Sequence, residues 1–224
     1  MAIILSLETS TTNCSVSIGV NGKVVSHKEL NDAGYSHSEN LHVFIKEVLK
    51  NASLSFNDID AIAVSKGPGS YTGLRIGVSS AKGLCFSLDK PLISILTLES
   101  LAHKLKIKEG FLLPLLDARR MEVYSAVFDE NYNLVRDTKA EIIDEHSFSE
   151  YLEKGKVYFL GSGAEKCKDI VKHSNAIFSE INYVPSAIEM AQLAENKFKI
   201  SDFEDIAYFE PYYLKDFVTT KPKN

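Results

Sequence analysis

Residues 3–30 read IILSLETSTTNCSVSIGVNGKVVSHKEL, and the spacing of apolar side chains in them sets the architecture of the N-terminal half. Ile3 to Leu7 is a short apolar run, the pattern of a strand buried on both faces. Glu8-Thr9-Ser10-Thr11-Thr12-Asn13 is a polar turn. Cys14, Val16, Ile18 and Val20 then alternate with Ser15, Ser17 and Gly19, as a half-buried strand does. Asn21-Gly22 is a hairpin signal because both residues tolerate positive φ. Lys23 to Leu30 returns as a third strand.

A helix follows this meander. Ser36 and Glu39 predict a capping box, each satisfying a free N–H at the helix start. Leu41, Phe44, Ile45, Val48 and Leu49 recur at i, i+3, i+4, i+7 and i+8, forming one apolar face. Ala61 to Val64 predicts a buried strand, Lys66 to Tyr71 a Gly/Pro loop, and Thr72 to Leu88 a second helix. Leu92 to Leu96 and Leu98 to Leu105 add a strand and a short helix.

The second half repeats the order. Strands are expected at 111–116, 122–128, 134–143 and 157–160, with helices at about 147–152, from Gly161-Ser162-Gly163 to about His173, and from Ala187 to about Phe198. A doubled βββαβα unit gives mixed sheets with helices on their faces. That is the two-lobed α/β architecture of the actin/hexokinase (ASKHA) fold. The expected lobes are residues 1–107, which bind a partner, and a reduced 108–224, with the tail returning onto the first lobe.

Composition narrows the function. The 224 residues are 45% hydrophobic and 25% charged, enough for a packed core without disulfides or metals. The net charge of −5, from 25 basic and 30 acidic side chains, argues against gripping nucleic acid unaided. Lys215, Lys221 and Lys223 near the C-terminus read as a solvated tail. Cys14, Cys85 and Cys167 are odd in number and far apart, as reduced core thiols are. The N-terminus has no basic leader and its apolar run ends at Glu8, so a cytoplasmic location is expected.

The segment 65–75, Ser-Lys-Gly-Pro-Gly-Ser-Tyr-Thr-Gly-Leu-Arg, carries two open readings. Gly67, Gly69, Ser70 and Thr72 could contact an anion at the helix start, or form a structural turn. Gly161 and Gly163 could likewise approach a nucleotide, or simply initiate a helix. Gly73, Gly77, Ser80 and Ala81 make a small-residue stripe on the second helix, with Gly83 off that face. Such a stripe admits another backbone, from this chain or a partner.

Together these segments resemble the bacterial TsaB (YeaZ) family. The likeness lies in Leu5-Ser6-Leu7-Glu8-Thr9-Ser10, the Lys66 to Arg75 loop, Ala81-Lys82-Gly83-Leu84, Leu116 to Tyr124, and Glu210-Pro211-Tyr212-Tyr213-Leu214-Lys215-Asp216. The resemblance implies a non-catalytic partner for threonylcarbamoyl-adenosine modification of tRNA beside the anticodon. It implies a heterodimer with a TsaD-type paralogue and a TsaE-type ATPase joining it; without the partner, the same helix face could self-associate into a two-fold homodimer. It also implies tRNA contact only through the complex, no intrinsic cofactor, and ATP or ADP only in the complex.

TsaD-type paralogues carry a His-x-x-x-His metal pair that falls here on Thr97 and Leu101, neither able to replace imidazole. The six histidines, His27, His37, His42, His103, His146 and His173, include no i, i+4 pair, and no metal ligands or catalytic residues are expected. Asp117 and Glu122 read as surface carboxylates rather than an acid/base pair. The expected partner face is Leu41, Phe44, Ile45, Val48, Gly73, Ile76, Gly77 and Ser80, so that Gly77→Leu would break pairing and spare the fold. The competing functions are a small-molecule kinase or ATPase of the same fold and, more weakly, a metallopeptidase.

Overall fold

A computed structural model describes residues 2–32, 34 and 36–215. Asp216, Lys221 and Lys223 lie outside the described residues. The first half runs β1 (Ile3–Glu8), β2 (Asn13–Val20), β3 (Lys23–Asn31), α1 (His37–Asn51), β4 (Ala61–Gly67), α2 (Tyr71–Leu88), β5 (Leu92–Leu96) and α3 (Thr97–Ala102). The second runs β6 (Phe111–Asp117), β7 (Glu122–Asp129), β8 (Leu134–Ile142), α4 (Ser149–Leu152), β9 (Val157–Leu160), α5 (Ala164–Lys168), β10 (Ala176–Phe178) and α6 (Ala187–Lys199).

The strands form two five-stranded sheets, β3-β2-β1-β4-β5 and β8-β7-β6-β9-β10. Each joins an antiparallel meander to a parallel pair, because the helical crossovers return the chain in the same sense. Asn21 and Gly22 hold φ of 50° and 75° in the first hairpin. The architecture is the duplicated actin/hexokinase type.

Local details depart from expectation. Ser36 makes no side-chain cap bond; Asn40 Nδ2 donates to its Oγ instead, at 2.8 Å. The helix after Gly163 ends at Lys168, not near His173. Strand β10 is three half-buried residues, too short for its periodicity to register in the sequence.

The larger correction concerns the lobes. Helix α6 lies on the first sheet, where Ala187, Met190 and Ala194 pack against Ile4, Ala63 and Ile93. Gly19 permits this approach, since a Cβ there would stand 3.1 Å from Ala191 Cβ. Polar bonds fix the start of the helix: Asn13 Nδ2 donates to Pro185 O at 2.9 Å, and Ser17 Oγ to Ala187 O at 2.7 Å. Helix α3 reciprocates, with Leu98 and Leu101 among Leu112, Leu116 and Ala126 of the second sheet. Each half thus gives its last helix to the other's sheet, and a division at residue 107 does not separate the two bodies.

Candidate functional site

The glycine loop is packed against the β1–β2 turn. Ser70 N donates to Ser10 O at 2.6 Å, and Ser70 Oγ accepts from Gly73 N, capping α2. A Cβ on Gly69 would meet Ser10 O at 2.3 Å, and one on Gly73 would meet Thr9 O at 2.1 Å. Gly67, at φ 114°, faces Tyr212 O. In the second lobe, Gly161 at φ 97° lies against Leu115 O, and Gly163 N donates to that same oxygen at 3.1 Å. For these six positions the sequence leaves two readings open, an anion or nucleotide contact and a structural turn or helix start. Five of them, Gly67, Gly69, Ser70, Gly161 and Gly163, instead serve close approaches within the chain; Thr72 alone stays exposed on the first turn of α2.

The expected partner face also turns inward. Leu41, Phe44, Ile45 and Val48 are buried with Val16, Ile18 and Val64 in the first core. Gly77 packs on Thr9, whose Oγ1 donates to Gly73 O at 2.7 Å. An amphipathic helix presents its apolar stripe to its own sheet, which explains the reversal. Only Ile76 and Ser80 of the expected set reach the surface.

The outer side of these two helices is a different surface. A shallow groove of about 370 Å³ runs between them, lined by His42, Arg75, Ile76, Ser79 and Ser80. Elsewhere on α1, Val43 is 48% exposed. Further along α2, Gly83 has no atom within 4 Å of its Cβ position, and Phe86 is 85% exposed. Gly83, which lies off the small-residue stripe, stands on this face; the signal was a mid-helix glycine outside that stripe.

A strap closes the molecule. Tyr212 N donates to Lys66 O at 2.7 Å, and Lys82 Nζ to Phe209 O at 2.9 Å. The Tyr213 ring lies 4.8 Å from that of Tyr71, and Arg75 Nε donates to its hydroxyl at 3.3 Å. Lys215 then reaches across to the Glu122 carboxylate and Ala118 O in the second lobe. Glu122 is thereby paired, and Asp117 is paired with Lys166 at 2.8 Å.

Polar side chains at the ends of β1 and β4 are buried and bonded within the chain. Glu8 is fully buried; its Oε1 accepts from Ser10 N at 2.6 Å, while Oε2 has no hydrogen-bond partner among the described residues. Burial pushes its pKa above the ordinary carboxylate range, against the hydrogen bonding from Ser10. Thr97 and Leu101 are both buried: Thr97 Oγ1 lies 2.7 Å from Ser65 Oγ, and Leu101 sits in the second core. Among the described residues, no group of three or more His, Cys, Asp or Glu side chains is placed to hold a metal ion. No helix there is long and apolar enough to cross a membrane.

The family model of TsaD, tRNA N6-adenosine threonylcarbamoyltransferase, matches residues 24–220. The tRNA threonylcarbamoyladenosine biosynthesis protein TsaB of Escherichia coli (strain K12) is 30% identical, over 97% of this chain and 96% of its own length. The tRNA N6-adenosine threonylcarbamoyltransferase of Staphylococcus haemolyticus is 36% identical over 51% of this chain and 38% of its own. A crystal structure of a Pseudomonas aeruginosa protein described as similar to peptidase YEAZ shares the fold, with a TM-score of 0.85 and 22% identity. That match covers 96% of this chain and 100% of the other.

Proposed function

The chain belongs to the TsaB family of tRNA threonylcarbamoyladenosine biosynthesis proteins, and from that membership we propose that it is a subunit without catalysis of its own, pairing with a TsaD-type paralogue. One observation carries the reading. Gly83 faces solvent in mid-helix, one turn from the exposed Phe86, and a Cβ there would meet nothing within 4 Å among the described residues. A glycine there destabilises a helix by about 1 kcal/mol relative to alanine. A second helix brought close to α2 would use both the missing side chain and the aromatic ring. The proposed interface is therefore the outer face, His42, Ile76, Ser80, Gly83 and Phe86, and not the buried stripes.

The filled positions at Thr97 and Leu101 support the non-catalytic half of the proposal, since neither side chain offers a metal a strong ligand. In this reading a TsaE-type ATPase joins the pair, ATP or ADP is held only in the assembly, and tRNA is reached through it. The assembly works in the cytoplasm, and the same outer face supports a two-fold homodimer when the paralogue is absent. Co-purification with the TsaD-type paralogue of the same organism, followed by reconstituted modification of tRNA, is the test. ATP turnover by the isolated chain, or an unpaired chain in the presence of its paralogue, would overturn the reading in favour of a kinase or ATPase of the same fold.

A further inference from the structure

The hairpin between β6 and β7 carries a surface that the pairing face does not account for. Arg119 and Arg120 form its tip, with φ of 68° and 50°. Two consecutive left-handed residues favour glycine, and arginine is strained there. Such strain persists only where the surroundings over-determine it, and here they do. Arg119 N donates to Asp117 Oδ1 at 2.6 Å, and Glu122 N to Arg119 O at 3.2 Å. Lys166, with its side chain only 15% exposed, donates Nζ to Asp117 Oδ1, Arg120 O and Glu122 O at 2.8, 2.7 and 3.0 Å.

The charges at the tip do not cancel. Arg119 and Arg120 are exposed, and neither side chain is in a salt bridge among the described residues, where Asp117 is held by Lys166 and Glu122 by Lys215. They stand out in a chain of net charge −5. Beside them are two exposed apolar side chains, Met121 at 43% and Ile142 at 74%. Ile142 lies opposite Glu122 in the β7–β8 register, and Ile143 N donates to Met121 O at 2.8 Å.

We propose that this tip is a docking surface for an acidic segment of a partner protein, distinct from the α1–α2 face. The proposal rests on the reading that the chain works within an assembly. Partner carboxylates would take the arginine forks, which suit bidentate pairing. An apolar partner side chain would cover Met121 and Ile142, as at the centre of a protein interface. A phosphate backbone would gain nothing from those two side chains, and an acidic chain repels it. Because the turn is pinned beforehand, docking orders no new backbone.

The test is the double variant Arg119→Gly/Arg120→Gly in the full chain. It removes both guanidiniums and relieves the left-handed backbone, so its melting temperature should equal or exceed the parent's. Binding is measured by calorimetry with the purified TsaD-type paralogue, and with the TsaE-type ATPase in the presence of that paralogue. At least one Kd should rise about tenfold or more, and the parent's affinity should fall more steeply with salt than the variant's. Gly83→Leu runs beside it: this variant should weaken the paralogue pair alone, so a failure of the pairing face and a failure of the hairpin give different patterns. Unchanged Kd values for both partners would overturn the proposal. So would a loss confined to tRNA or inorganic pyrophosphate binding, which would make the tip a phosphate site.

Discussion

Gly77 and Thr9 are in contact so close that a Cβ on Gly77 would stand 2.3 Å from the Thr9 Oγ1. The small stripe of α2 is therefore consumed inside the first lobe. Gly77→Leu should destabilise the isolated chain by about 1–3 kcal/mol through overpacking, lowering its melting temperature, and Gly77→Ala should act in the same direction more weakly. An unaltered melting temperature for the leucine variant would contradict this packing and return the stripe to the partner, the other reading that its spacing allows.

Gly83 should behave in the opposite way. Gly83→Ala meets nothing within 4 Å and should stabilise the isolated chain by about 0.5–1 kcal/mol through helix propensity. Gly83→Leu and Phe86→Asp should leave thermal unfolding near the parent's and weaken capture by the TsaD-type paralogue about tenfold or more. Size-exclusion chromatography of the mixture reads the pair directly. Intact pairing with both variants would remove this face from the interface.

Glu8 makes stability depend on pH with a definite sign. Its native pKa is raised by burial, so the folded state binds a proton more tightly than the unfolded state does. Below the ordinary glutamate pKa, about 4.3, both states are protonated and the side chain brings no penalty. As pH rises through the elevated native value, the buried carboxyl must either ionise without water or hold its proton against solvent, and stability falls. Glu8→Gln should thus stabilise at neutral pH, and the difference should vanish in acid. Denaturant titrations of parent and variant in acid and at neutral pH would expose a difference of the wrong sign.

The three thiols should be inert in the folded chain. Burial pushes Cys14 up to about 11, with the neighbouring Glu8 adding to it, and Cys85 and Cys167 to about 12. A thiolate is the reactive species, so an aromatic disulfide reagent at neutral pH should label them only as fast as the protein unfolds. Rapid labelling of any one of them in native buffer would place it outside the core.

The meander and its duplication were legible because alternation and the Asn21-Gly22 turn act locally, and the structure keeps both. The apolar stripe of α1 was legible too, but a stripe says only that something covers it; Leu41 and Phe44 are covered by their own sheet. The glycine loop stayed undecided between a turn and an anion contact for a related reason. Gly69 and Gly73 are required by Ser10 and Thr9, residues some sixty positions away, and no local pattern reports such a neighbour. The outer face was illegible as a surface because its informative residue is an absence, the missing side chain of Gly83. The placement of α6 could not be read at all, since its polar anchors, Asn13 and Ser17, lie on a strand more than 160 residues earlier.

That exchange of helices has a consequence for synthesis. As the chain leaves the ribosome, all five strands of the first sheet are available long before the segment 187–199 that covers one of its faces. Until then Ile4, Ala63 and Ile93 have no permanent cover, and the nascent half is a naked hydrophobic slab waiting on the last stretch of message. A premature stop codon ahead of Ala187 would leave that slab bare for good, so truncated products should be insoluble clients of chaperones rather than miniature versions of the first lobe.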